Sequence, residues 1–204
     1  MTKVDGSIGK EILEKVFQVF KNNNCIFSLD YGTLLGYIRD KSFINGDNDI
    51  DFGVLYEDWK PKIITDLCDN GFILRKVVKC TNEYVLGFLG YDKVDTYTQV
   101  SFIYNDIIID IEIYHKGINE YSKMRYYWGG WKNYIFEIPE KLIIPRIMMK
   151  FHNTDVYVPE KYKDYLKFIY GDSWKRPILG YIDSPLHQEN RKRFCRSFSC
   201  QKQE

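Results

Sequence analysis

Long hydrophobic runs are missing from this sequence, which argues against a helical membrane protein. The longest apolar runs are far below the roughly 18 residues that a transmembrane helix requires. The N-terminal segment MTKVDGSIGKEIL also lacks the apolar stretch of a signal peptide. We therefore expect a cytoplasmic protein with no transmembrane segment.

An excess of one charge and a metal-binding cysteine pattern are also missing. Lysine and arginine number 29 against 28 acidic residues, so the formal net charge is only +1. A nearly neutral chain has no overall field that attracts a polyanion, and no nucleic acid partner is expected. The five cysteines have neither CxxC nor Cys/His ligand spacing, so the sequence predicts neither a zinc site nor a disulfide framework.

What the sequence does contain is enough apolar material for one core. The chain has 204 residues, of which 45% are hydrophobic, and this size suits a single domain. We expect that domain to cover residues 1–182. Residues 183–204 are basic and poor in apolar periodicity, so we expect a flexible tail there, with peripheral contact at the inner membrane surface as an alternative role.

The first part of the chain predicts a helix, a strand and a second helix in succession. Apolar residues from Ile8 to Phe20 recur at helical spacing after a potential cap at Ser7. Cys25 to Asp30 have the composition of a short buried strand. Tyr31-Gly32-Thr33 then turn the chain into a short helical pattern that ends at Arg39. The predicted unit is a strand, a tight turn and a helix.

Strand patterns dominate the middle of the chain. A strand begins at Asp49, and the next amphipathic helix carries Trp59, Ile63, Ile64 and Leu67. Further extended segments are expected at Phe72 to Val78, Tyr84 to Leu89, Tyr97 to Tyr104 and Ile107 to Tyr114. Turn-rich residues separate the last three of these segments, which predicts an antiparallel meander.

The last part of the chain predicts a hairpin followed by a helix. The aromatic segment Tyr126 to Trp131 is consistent with either a hairpin or a loop over a pocket, and we favour the hairpin. Arg146 to Phe151 and Val156 to Val158 flank an Asn153-Thr154 turn. A helical pattern then runs from Pro159 to Gly171.

Two aspartates near the start of the predicted central strand suggest a metal site. Asp49 and Asp51 alternate with Ile50, Phe52 and Val54, so both carboxylates lie on one face of the strand and the apolar residues on the other. Two like charges on one strand face repel each other. A divalent cation relieves the repulsion, and Mg²⁺ prefers such oxygen ligands, with Mn²⁺ as an alternative.

A third carboxylate follows on a later strand. Asp110 and Glu112 share one face of the segment Ile107 to Tyr114, and either could complete the site with Asp49 and Asp51. We favour Asp110. Asp47 precedes the first strand, so it is either a turn acceptor or a residue that supports the ligands.

A phosphate-binding role is predicted for the turn before the second helix. The N–H groups of Gly32 and Thr33 at a helix start favour an anion, although such a turn alone is more often only structural. Arg39 and Lys41 follow in the connecting segment and could neutralise a diphosphate. With the three acids, these residues predict a site for phosphoryl or nucleotidyl transfer, in which Asp110 could also accept a proton from an incoming hydroxyl.

Several sequence motifs resemble those of the LicD/fukutin family. GTLLG-x-x-R occurs at Gly32 to Arg39, and an aspartate cluster of the D-x-D-I-D type at Asp47 to Asp51. The similarity extends to the acidic strand IIIDIEIYHK, to PRIMMKF and VYVP in Pro145 to Pro159, and to YLKFIYGDSWKRP in Tyr165 to Pro177. It covers roughly residues 8 to 180. Tyr31, Asn48 and Asn45-Gly46 depart from the residues that relatives often carry.

The resemblance implies both a fold and a reaction. The fold is α/β (α+β), a nucleotidyltransferase-like mixed β-sheet with flanking helices and a small C-terminal hairpin-helix extension. The reaction is transfer of a phospho-alditol or phosphocholine group from a CDP-linked donor to a glycan hydroxyl, with Asp49, Asp51 and Asp110 as catalytic residues and metal ligands. Two alternatives remain, nucleotidyl transfer with release of pyrophosphate and a catalytically inactive nucleotide- or glycan-binding protein.

Overall fold

The computed structural model describes residues 3–80, 96–116, 121–126, 133–177 and 195–198. Its helices are α1 (Gly6–Asn22), α2 (Tyr31–Asp40), α3 (Lys62–Asp69) and α4 (Tyr162–Tyr170). Its strands are β1 (Phe27–Leu29), β2 (Asp49–Leu55), β3 (Ile73–Cys80), β4 (Thr96–Tyr104), β5 (Ile107–Lys116), β6 (Tyr121–Tyr126), β7 (Asn133–Ile138), β8 (Arg146–Phe151), β9 (Thr154–Pro159) and β10 (Cys195–Phe198). Within these residues, no helix is both long enough and apolar enough to span a membrane.

The central sheet is mixed, as predicted. Its strand order is β1-β2-β5-β4-β3, in which β2 and β5 are parallel and the other neighbours are antiparallel. The end of β5 pairs with β6, and the sheet continues through β7 to β10. The expected α/β fold class is therefore confirmed, and the parallel β2–β5 pair lies at the centre of the five strands.

One face of the central sheet is apolar and holds the core. Ile50, Phe52 and Val54 of β2 lie on this face and are fully buried, as are three alternate isoleucines of β5 (Ile109, Ile111 and Ile113). The Phe27 ring of β1 contacts both Phe20 of α1 and Phe52, with ring centroids 5.0 and 5.3 Å apart. The period-two pattern thus buries every second side chain and leaves the alternate ones on the opposite face.

The helix starts differ from the sequence prediction by a few residues. Asp5 caps α1, because its Oδ1 accepts hydrogen bonds from the N–H groups of Ser7 and Ile8 at 2.7 and 2.9 Å. The predicted cap at Ser7 is therefore wrong, since Ser7 already lies inside the first turn. Helix α2 likewise begins at Tyr31, so Gly32 and Thr33 belong to its first turn and do not form a separate loop.

A hairpin and a helix follow the central sheet, as expected. Strands β8 and β9 are antiparallel, and His152 and Asn153 form the turn between them with φ of 47° and 65°. Pro159 is the last residue of β9, so α4 begins three residues later than the sequence predicted. Gly171 ends that helix with φ of 82°.

Two predicted segments are only partly described. Strands β6 and β7 pair with Tyr126 opposite Asn133, while residues 127–132 of the aromatic segment lie outside the described residues. The strand predicted at Tyr84 to Leu89 also lies outside them. Within the predicted tail, residues 195–198 form β10 against β7. The division into a domain at 1–182 and a tail at 183–204 stays a prediction.

Stability should fall in mild acid because His115 is buried in its neutral form. Its side chain is fully buried, its Nε2 lies 2.7 Å from the Tyr97 carbonyl oxygen, and burial lowers its pKa to about 4. Between this value and about 6.5 the unfolded chain binds a proton that the folded chain does not, so the free energy of unfolding falls as pH falls. We expect a loss of about 2 kcal/mol between pH 7.5 and pH 5.

The measurement is urea unfolding of the wild type and of His115→Gln at both pH values. The glutamine amide can donate to the same carbonyl but does not titrate. The free energy of unfolding should change less with pH in the variant than in the wild type. This difference isolates the contribution of His115 from that of the other titrating groups. Parallel pH dependences would contradict this prediction.

Candidate metal centre

The pairing of β2 with β5 brings acidic residues from two strands together. Asp51 lies directly opposite Asp110 in the parallel register. Asp49 lies opposite Ile108, two residues earlier along both strands and therefore on the same face. This face is the one opposite the apolar core. Strand alternation thus explains why the carboxylates lie on the same side of the sheet, and the register explains why they meet.

Three of these carboxylates are close enough to bind one cation. Asp49, Asp51 and Asp110 each offer an oxygen, and these oxygens lie within 4.8 Å of one another. Asp51 is buried with 7% of its surface exposed, and the other two are half-buried. Oδ1 of Asp110 is buried, and among the described residues it has no hydrogen-bond partner. A buried carboxylate oxygen without a donor fits the coordination of a hard divalent cation.

Helix α2 holds Asp51 in place through its first turn. The N–H of Gly32 donates to Asp51 Oδ2 at 3.1 Å, and the N–H of Asp51 donates to Thr33 Oγ1 at 2.8 Å. A Cβ on residue 32 would lie only 3.1 Å from Asp47 Oδ2, which favours glycine there. These contacts assign Gly32 and Thr33 to positioning of the aspartate, and their phosphate-binding role stays a prediction.

Asp47 lies beside the three acids. Its Oδ1 accepts from the N–H of Asn48 at 3.1 Å. Burial raises the pKa of Asp47 to about 7, and the neighbouring Asp49 carboxylate adds to this increase. Burial also raises the pKa of Asp110, an effect that a hydrogen bond with Ser101 partly offsets. Both shifts have the direction expected of buried carboxylates that lie close to one another.

Glu112, the alternative third ligand, lies deeper on the same face. It is fully buried, and its Oε1 accepts from Gln99 Nε2 at 3.0 Å. Its partner in β2 is Gly53, where no carboxylate is available. Within the described part of the chain, the acids that come together are Asp49, Asp51 and Asp110. The geometry therefore supports the preference for Asp110.

Arg39 and Lys41 lie at the other end of α2 from this cluster. Seven residues separate Gly32 from Arg39, which corresponds to about 10 Å along a helix axis. Arg39 instead donates to its neighbour Asp40 through Nε and Nη2, at 2.8 and 2.7 Å. Lys41 is exposed, with its ammonium over the Tyr37 ring. Both side chains thus have contacts of their own at the far end of α2, and their phosphate-binding role stays a prediction.

A buried polar network beside the site was missed by the sequence analysis. Asp30 caps α2 by accepting from the N–H of Tyr31 at 2.9 Å, and it also accepts hydrogen bonds from the hydroxyl groups of Tyr114 and Tyr165. Burial and the Asp30 carboxylate raise the pKa values of both tyrosines, which keeps their hydroxyl groups protonated. Asp30 was placed at a strand end, but no spacing rule links it to Tyr165, which is 135 residues away.

Comparisons with curated proteins identify relatives of the chain. It is 28% identical over 173 residues to the mouse "Ribitol-5-phosphate transferase FKTN" and 25% identical over 173 residues to the human protein of that name. Each alignment covers 83% of this chain and 33% of the relative. The chain therefore spans about a third of the length of these relatives.

A solved structure and a family model also match. The structure of ANT(2")-Ia in complex with adenylyl-2"-tobramycin has a TM-score of 0.43 and 14% identity, and the match covers 89% of this chain and 84% of that one. A score this low supports no conclusion about function. The model of the family described as LicD/FKTN/FKRP, nucleotidyltransferase domain, matches residues 24–161, which is more than half of the chain. The predicted family is therefore confirmed, and the chain belongs to the LicD/FKTN/FKRP nucleotidyltransferase-domain family.

Proposed function

We propose that the protein is a Mg²⁺-dependent phosphotransferase that moves a phospho-alditol or phosphocholine group from a CDP-linked donor to a glycan hydroxyl. The observation that carries this proposal is the group of three carboxylates on β2 and β5, one of which has a buried oxygen without a hydrogen-bond donor among the described residues. Relatives named ribitol-5-phosphate transferase support phosphate-group transfer.

The residues that would hold Mg²⁺, or Mn²⁺ in its place, are Asp49, Asp51 and Asp110. A bound divalent cation supplies charge neutralisation for the phosphate oxygens. The chain itself supplies orientation, because Gly32 and Thr33 fix Asp51 from the first turn of α2. The β2–β5 register fixes Asp110 beside it. Such pre-organised geometry accounts for much of the catalysis in phosphoryl transfer.

The transfer step needs a proton acceptor as well as a positioned donor. In the proposed reaction the glycan hydroxyl oxygen forms a bond to the donor phosphorus, and the bond from that phosphorus to the CMP oxygen breaks. The hydroxyl proton passes to a carboxylate, for which Asp110 is our candidate.

The test is a product assay with CDP-ribitol, CDP-glycerol, CDP-choline and plain nucleoside triphosphates, each with and without Mg²⁺ or Mn²⁺. Release of CMP from a CDP-linked donor, only with the cation present, is the expected result. Release of pyrophosphate from a triphosphate would instead indicate nucleotidyl transfer. Thermal stabilisation by a nucleotide without either product would indicate a binding protein. Either outcome would overturn the proposal.

A further inference from the structure

A β-bulge in β3 turns two basic residues towards the candidate metal centre. Leu74 pairs with Phe102 and Lys76 pairs with Ser101, so Arg75 is the additional residue between two consecutive pairs. The Nη1 of Arg75 lies 3.4 Å from Ser101 Oγ, which shows that its side chain also reaches this face. A bulge of this kind redirects a side chain that regular alternation would place on the opposite face.

Lys76 lies in one transverse row with the acids. The register places Lys76 of β3 opposite Ser101 of β4, Ser101 opposite Asp110 of β5, and Asp110 opposite Asp51 of β2. Residues directly opposite one another share a face of the sheet. Two strand spacings separate Lys76 from Asp110, or about 10 Å between backbones. An extended lysine side chain covers much of that distance, and the charge of Lys76 already acts on the Asp110 carboxylate.

Other basic residues are less suited to the same task. Arg39 is paired with Asp40 at the opposite end of α2. Lys76, by contrast, takes part in no hydrogen bond or ion pair with any other described residue. It is half-buried and Arg75 is exposed, so a ligand on this face can reach both.

We propose that Arg75 and Lys76 bind the diphosphate of the nucleotide-linked donor on the β3 side of the carboxylates. This inference rests on the proposed function. An arginine and a lysine that reach the same face form a suitable pair of donors for phosphate oxygens. A donor held in this way would lie along the row from Lys76 to Asp51.

The test compares CDP binding by Lys76→Gln, Arg75→Gln and Lys79→Gln in the presence of Mg²⁺. We expect each of the first two substitutions to lower the affinity for CDP at least about tenfold, since each removes a charged hydrogen bond to phosphate. Lys79→Gln removes the same charge from the same strand, but the Lys79 ammonium lies over the Tyr97 ring. It should change CDP binding by less than about twofold, because only a long-range interaction that salt largely screens is lost. Lys76→Arg should restore most of the affinity.

Binding of Mn²⁺ to the nucleotide-free proteins separates ligand contact from structural damage. Removal of a positively charged side chain near Asp110 should leave the affinity for Mn²⁺ unchanged or increase it. A distorted site would bind Mn²⁺ less tightly. The inference is overturned if Lys76→Gln and Arg75→Gln bind CDP as Lys79→Gln does, or if they lose Mn²⁺ and CDP together. If the wild type binds no CDP with Mg²⁺, the proposed function fails as well.

Discussion

Asp110→Asn should lower transfer activity at least about a thousandfold and yet raise the melting temperature of the metal-free protein. The activity falls because the substitution removes a charged ligand and the candidate proton acceptor at once. The metal-free fold gains stability because a half-buried negative charge next to Asp49 and Asp51 is removed. Burial raises the Asp110 pKa, so this carboxylate destabilises the fold at neutral pH.

The measurements are CMP release and thermal unfolding with and without Mn²⁺. Mn²⁺ should raise the melting temperature of the wild type but not that of the variant. Asp106→Asn is the matched control, because residue 106 lies in the turn before β5 with φ of 62°, a conformation that asparagine tolerates. It should behave like the wild type.

Glu112→Gln distinguishes the two candidates for the third ligand. Glu112 already accepts a hydrogen bond from Gln99, and we expect its substitution to preserve stabilisation by Mn²⁺. If Glu112→Gln loses that stabilisation while Asp110→Asn keeps it, the ligand set proposed above is wrong.

Asp30→Ala should lower the free energy of unfolding by about 3 kcal/mol. The substitution removes the N-cap of α2 and leaves the buried hydroxyl groups of Tyr114 and Tyr165 without their carboxylate acceptor. For a chain of this size the loss corresponds to roughly 10 °C in melting temperature. Because α2 also positions Asp51, affinity for Mn²⁺ should fall with it.

Tyr165→Phe is the informative comparison for this network. It removes one hydroxyl but leaves Asp30 with Tyr114 and the N–H of Tyr31, so it should cost only about 1 kcal/mol. The double variant should be less destabilised than the sum of the two single variants, since both remove the same hydrogen bond. Additive effects, or an Asp30→Ala protein as stable as the wild type, would contradict the proposed role of the network.

Local patterns in the sequence predicted most of the elements. Alternation of isoleucine with acidic residues placed the β2 and β5 strands and showed which of their residues share a face. The hairpin before α4 followed from two strand patterns around a short turn. These features depend on neighbours along the chain, so a single sequence contains the information that they need.

Contacts between distant segments could not be predicted in this way. The parallel pairing of β2 with β5 decides that Asp51 faces Asp110, and nothing in either strand specifies that register. Arg39 and Lys41 were chosen because they are near the acids in sequence, yet the axis of α2 carries them away. Arg75 and Lys76 were missed because a bulge is not visible as a break in the alternation of β3.

The β2–β5 register also links the proposed cation binding to the fidelity of folding. A shift of one residue would place Ile109 or Ile111 beside Asp51 and would turn Asp110 towards the apolar core. The ligand set therefore exists only in the correctly paired sheet, and a cation that binds this set stabilises the native register over every shifted one by mass action. Divalent ions in a refolding buffer should accordingly increase the yield of native protein as well as its activity.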